Sequence, residues 1–184
     1  MRLLGLLLVA NYASSSHVMI IDAVKFTRPS DFDVLLNDIH ESDLHLIAQM
    51  DGVSYLNVSN NATPVFPVEG MIMGGHKRLM VNLLVRVRRT GVYRNVVFMI
   101  DTGSPYTFLS HTAIGALVGE QGNIPSALRL DIHGTLSMVC YMSPRDKHFS
   151  DLNLLGTDFL ETNTIQMHMD WKEKTFLLYT RSVW

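Results

Sequence analysis

Cysteine is almost missing: Cys140 is the only one in 184 residues. A single thiol forms no intramolecular disulfide and builds no cysteine-rich zinc cage. Charge is sparse as well, at 17% of residues with a net charge of −2. That excludes the basic surface of an electrostatic nucleic-acid binder and the charge-rich composition of a disordered chain. No apolar run approaches the roughly 20 residues of a bilayer-spanning helix. Internal repeats are absent too, which bears on the chemistry below. What is present is 47% apolar residues, enough to bury a core within one ordinary domain carrying an arm. The eight histidines show no ligand spacing, so neither a metal nor another cofactor is expected.

Arg2, the apolar run Leu3 to Ala10 and the small residues Ala13 to Ser16 match the layout of a secretory signal peptide over residues 1–16. A plain buried strand or helix fits the same residues. The sequons Asn57-Val58-Ser59 and Asn61-Ala62-Thr63 lie in a polar stretch that reads as an exposed loop. Leader and sequons point to a secreted or endomembrane protein, with the cytoplasm as the alternative. Residues 17–75 read as a small α/β arm and linker. Val18 to Ala23 is a short strand candidate. Ser30 and Asp33 form a Ser-x-x-Asp capping box for a helix running to about His40, with Phe32, Leu35, Leu36 and Ile39 as its apolar stripe. Asn57, Asn60, Asn61, Pro64, Pro67, Gly70, Gly74 and Gly75 crowd residues 51–75 with turn formers, and a domain boundary is placed there.

From residue 76 the pattern becomes β. Leu79, Val81, Leu83, Val85 and Val87 alternate with their neighbours at a period of two. Arg89-Thr90-Gly91 turns the chain into a second strand, Val92 to Ile100, whose end is wholly apolar. Further strands are expected over Leu128 to Ile132, Leu136 to Met142, Ile165 to Trp171 and Thr175 to Thr180. Thr112 to Leu117 and Thr157 to Glu161 are the helical pieces.

The apolar run Phe98-Met99-Ile100 ends in Asp101-Thr102-Gly103-Ser104. A carboxylate after three large apolar residues is costly unless hydrogen bonds hold it. Gly103 lets the backbone turn so that its amide approaches the carboxylate, and Thr102 and Ser104 supply hydroxyls. With the strand-turn at Ile132-His133-Gly134 and the stretch Leu152-Asn153-Leu154-Leu155-Gly156-Thr157-Asp158-Phe159-Leu160, residues 77–182 resemble the single-domain, retropepsin-like aspartic proteases. The resemblance implies a mostly β fold, a closed β-barrel protomer with a short helix in the C-terminal half. It makes Asp101 the catalytic residue, Thr102, Gly103 and Ser104 the active-site loop, and Leu154, Leu155 and Gly156 the structural support of the site. It also implies a homodimer, because aspartic proteolysis takes two carboxylates sharing one proton and this chain has one such triplet.

Within that resemblance, Ser104 is expected to bond the outer carboxylate oxygen, Thr102 to brace the two loops across the two-fold axis, and Thr175 to Trp184 to supply interface strands. The substrate is a peptide or protein. The family's covering hairpin has little room here: only Val118 to Ala127 remains for a flap, with Gly119 and Gly122 as candidate hinge residues. A shortened lid weakens water exclusion. The alternative is therefore a catalytically silent fold of the same kind, serving dimerisation or peptide binding.

Overall fold

The computed structural model describes residues 27–59, 63–88, 91–119, 124–135 and 137–180. The expected leader (1–16), the Val18 to Ala23 strand, the Asn61 sequon position, the Arg89-Thr90 turn, Gly122 and the terminal residues 181–184 lie outside them.

Among the described residues, nine strands form one mixed sheet. β1 (Val68–Met73), β2 (Arg78–Val87), β3 (Arg94–Ile100), β4 (Phe108–Leu109), β5 (Ala127–Ile132), β6 (Met138–Met142), β7 (Leu154–Leu155), β8 (Ile165–Asp170) and β9 (Thr175–Thr180) alternate with three helices, α1 (Glu41–Met50), α2 (His111–Val118) and α3 (Thr157–Thr162). The circuit β3-β7-β4-β6-β5-β2 closes on itself because β2 also pairs with β3, so the mostly β, ring-like architecture is as expected. β2 achieves this by serving three neighbours: β1 near its start, β3 along its length and β5 at Val85 to Val87. Its alternating residues Leu83 and Val85 are buried, as are the six residues Asn95 to Ile100 of β3. A strand with both faces covered reads as a continuous apolar run.

The arm departs from expectation. Between Ser30 and His40 there is only a 3₁₀ turn at Pro29–Asp31, and the helix starts at Glu41. The apolar residues of this segment satisfy a period of two as well as a helical one. Phe32, Val34 and Leu36 turn inward along extended chain, and Leu35 is left 63% exposed. Tertiary partners decide the matter. Phe32 stacks on Phe108 at 5.7 Å, Asp33 meets His148 at 3.0 Å, and Asp38 forms a two-pronged pair with Arg78. The Arg78 guanidinium holds the Asp38 carboxyl below the usual range. The cap of α1 is Asp43, whose carboxylate accepts the His40 N–H at 2.8 Å, an anion at the positive helix end.

β1 also lies where turns were expected. It pairs with β2 on one side and β9 on the other, so the boundary placed at residues 75–76 falls inside the β1–β2 hairpin. Leu36, Ile39, Leu44, Ile47, Ala48 and Tyr55 of the arm share one core with the barrel. Of the expected interface strands Thr175 to Trp184, the described part, Thr175 to Thr180, is not a free edge: β9 is hydrogen-bonded on both sides, by β1 and β8, and among the described residues the sheet ends at β8. Truncation after Lys174 should therefore unfold this part of the sheet, seen as lost β-structure by circular dichroism. Release of intact monomers would contradict it.

His133, at the turn after β5, is buried. It and Gly134 both adopt positive φ, 48° and 72°, to reverse the chain between β5 and β6. Its Nε2 lies 2.9 Å from the Val65 carbonyl and its Nδ1 accepts the Leu84 N–H at 3.3 Å, which fits a neutral ring protonated on Nε2. Burial lowers its pKa from 6.5, against the Val65 contact that favours the charged form. Below about pH 6.5 the unfolded chain takes up this proton before the folded one, so stability present above that pH is lost as the pH falls toward the native value. The denaturation midpoint should drop between about pH 7 and about pH 5, and His133→Asn, which tolerates positive φ, should flatten that slope. An unchanged slope in the variant would refute the assignment to His133.

Candidate active site

Asp101 follows directly on β3, whose end is clamped by β7. The two run parallel, Met99 beside Leu154 and Ile100 beside Leu155, and all four side chains are buried. The Asp101 N–H donates to the Leu155 carbonyl at 3.1 Å, continuing the ladder one step past the strand. The chain then turns tightly. The Ser104 N–H donates to the Asp101 carbonyl at 3.1 Å, and the Gly103 N–H donates to Asp101 Oδ1 at 2.9 Å. A Cβ on residue 103 would stand 3.2 Å from that oxygen, so glycine gives the amide its close approach. Asp101 Oδ2 is buried and has no hydrogen-bond partner among the described residues. Thr102 is exposed beside it.

Ser104 does not take the expected role. It is fully buried, and its hydroxyl donates to the Tyr106 carbonyl at 2.6 Å. A hydroxyl has one proton to give, so Ser104 Oγ is a turn brace, not a donor to the Asp101 carboxylate.

The second wall is the segment from Leu154 through α3. The Gly156 N–H donates to Thr107 Oγ1 at 3.1 Å, and the Thr157 N–H donates to the Ser104 carbonyl at 2.8 Å. Asp158 accepts from the Thr107 N–H (2.9 Å), the Thr107 hydroxyl (2.7 Å) and the Phe159 N–H (2.8 Å). Burial raises its carboxyl above the usual carboxylate range, while those three hydrogen bonds pull the other way. Leu154, Leu155 and Gly156 thus pack and bond directly against the Asp101 loop. Asp158, Thr107 and Thr157 were not singled out from sequence. The available signal was an aspartate two residues after Gly156, at the start of a helix.

Gly119 ends α2 with φ of 85° and nothing within 4 Å of a Cβ placed there. Its partner in the flap expectation, Gly122, is outside the described residues. Among the described residues no group of three His, Cys, Asp or Glu side chains is placed to hold a metal ion, and no helix is long and apolar enough to cross a membrane.

No family model matches the chain, and no curated protein matches it. Among solved structures it is similar to a retropepsin-like aspartic protease from Rickettsia conorii. The match is 18% identical with a TM-score of 0.40, covering 61% of this chain and 91% of that one.

Proposed function

We propose that the chain is one protomer of a homodimeric aspartic-type endopeptidase, each copy contributing Asp101. The observation that carries the reading is the state of that carboxylate. Oδ1 is held by Gly103, the backbone is pinned to Leu155, and Oδ2 is buried without a partner. The residue as a whole is half-buried at the end of an apolar strand. A second Asp101 across a two-fold axis, sharing one proton with the first, would complete the acid–base pair. The ionised member takes a proton from a water, whose oxygen adds to the peptide carbonyl carbon. The protonated member gives its proton to the carbonyl oxygen. The tetrahedral adduct then collapses: the C–N bond breaks, the amine leaves with the proton the first member took from water, and a hydroxyl of the adduct returns a proton to the second member as the carboxylic acid forms.

Thr102, exposed next to Asp101, would brace the two loops across the axis. β8, the sheet edge among the described residues, offers an open strand to a partner, since an open edge is a pairing surface. Light scattering at micromolar concentration should give twice the 20.7 kDa chain mass. A strict monomer that still hydrolyses peptides would contradict the shared pair.

The test of function is incubation with a mixed peptide library from about pH 4 to about pH 7, with and without a statine-type transition-state analogue. Cleavage suppressed by the analogue is the expected result. Peptide binding without cleavage would favour the silent module, which the short 119–126 interval also suits.

A further inference from the structure

Tyr55 belongs to the arm, before the stretch that carries the family resemblance, and it is 5% exposed. The exposed His45 ring lies across its face at 5.0 Å. Its hydroxyl accepts a 2.7 Å hydrogen bond from Asn153 Nδ2. Asn153 is itself fully buried, and it makes three further hydrogen bonds, two of them to β3. Nδ2 also donates to the Val97 carbonyl of β3 at 2.9 Å. Oδ1 accepts the Ser110 N–H at the cap of α2, at 2.9 Å. Its backbone carbonyl accepts the Met99 N–H, again at 2.9 Å. The next two residues are Leu154 and Leu155, the latter holding the Asp101 N–H. Burial pushes the Tyr55 hydroxyl up to about 12, against opposing hydrogen bonds to Asn153 and Ser110, so it remains a neutral partner over any working pH.

We infer that Tyr55 is a positioning residue for the Asp101 loop, acting through Asn153. The arm is then a working part of the site, not a detachable prosegment. The amide of Asn153 has two orientations about its last torsion, and only one puts Nδ2 toward Val97 and Oδ1 toward Ser110. Tyr55 and Val97 together select it. With the hydroxyl gone, one of the two contacts fixing Nδ2 is lost, and the clamp between β3 and β7 loosens where it meets Asp101. The catalytic consequence rests on the peptidase reading; the effect on the loop does not.

The experiment compares the full chain with Tyr55→Phe and with Ile47→Val, a packing change in the same arm that leaves the network alone. Amide hydrogen exchange is read at Met99, Asp101 and Ser110. Tyr55→Phe should lower protection at these three by about fivefold, the worth of one hydrogen bond, while β8 and β9 keep theirs. Ile47→Val should spare the three. Where cleavage is measured, kcat should fall about tenfold with KM unchanged, as expected when a reacting group is displaced and substrate contacts are not. Unchanged protection at the three amides, or a uniform loss over the whole chain, overturns the inference. So does an equal loss in Ile47→Val. If the wild-type chain cuts no peptide, the peptidase reading fails while exchange still decides the role of Tyr55.

Discussion

Asp101→Asn should reduce peptide cleavage by on the order of 10⁴-fold, the upper range of acid–base contributions, and leave a folded dimer. The replacement is isosteric. Its carbonyl oxygen can still accept the Gly103 N–H, and the backbone bond to Leu155 is untouched. What it loses is the capacity to take a proton from water, and in a homodimer both members of the pair lose it together. Folding should be little affected, because the replacement keeps the shape of the side chain and removes the repulsion between two ionisable carboxylates across the axis. The denaturation midpoint should therefore move by no more than about 0.5 kcal/mol of stability. Full activity in the variant would end the assignment of Asp101. A silent module makes the opposite forecast: wild type and variant bind a peptide equally well, and neither cuts it.

Gly156→Ala should cost stability on the scale of the whole fold, about 3 kcal/mol or more by overpacking. A Cβ there would fall inside the contact distance of the Tyr106 carbonyl oxygen and carbon, and 2.9 Å from Asp158 Oδ1. Two of those three atoms are backbone, so no rotamer change relieves the clash. Tyr106 is pinned by Ser104 and Asp158 by Thr107, so moving either disturbs the Asp101 loop itself. Denaturant unfolding should show a lower midpoint with an unchanged slope, the mark of a changed stability and not a changed transition. Wild-type stability in this variant would mean that the close crossing of the two segments is wrongly described.

The parts of this fold that could be read from sequence are those in which local pattern and burial agree. β2, β5, β8 and β9 alternate, and β3 reads as a buried strand because both of its faces are covered. Asp101 was legible for the same reason, as a carboxylate ending that apolar run. β1 was not, because Gly70 reads as a turn former. In the structure it is a strand residue beneath the Phe176 ring, which occupies the volume a Cβ would need. The Phe32 to Ile39 segment misled because its apolar residues fit two periods, and Phe108, His148 and Arg78 selected the extended one. β4 and β7 are two residues each, too short to carry a period. Ser104 was given a partner in the carboxylate when a closer acceptor lay two residues on. Tyr55 had no local signal at all, since its partner Asn153 is 98 positions away.

The parallel pairing of β3 with β7 carries a consequence for biogenesis. The hairpin pairings β1–β2, β2–β3, β5–β6 and β8–β9 join consecutive strands, but Asp101 is fastened to Leu155, and long-range parallel contacts form only after the entropy of closing the intervening loop has been met. A nascent chain that has emerged only through β6 has β2 and β3 available to pair, and Gly103 to bond the Asp101 carboxylate, yet no β7 to fix the turn in place. The Asp101 turn is therefore fixed to β7 only late in folding, when Leu154, Leu155 and Gly156 have left the ribosome. A ribosome-bound chain stalled just short of residue 154 would carry the whole Asp-Thr-Gly-Ser turn without its clamp, an acid with no fixed place to act.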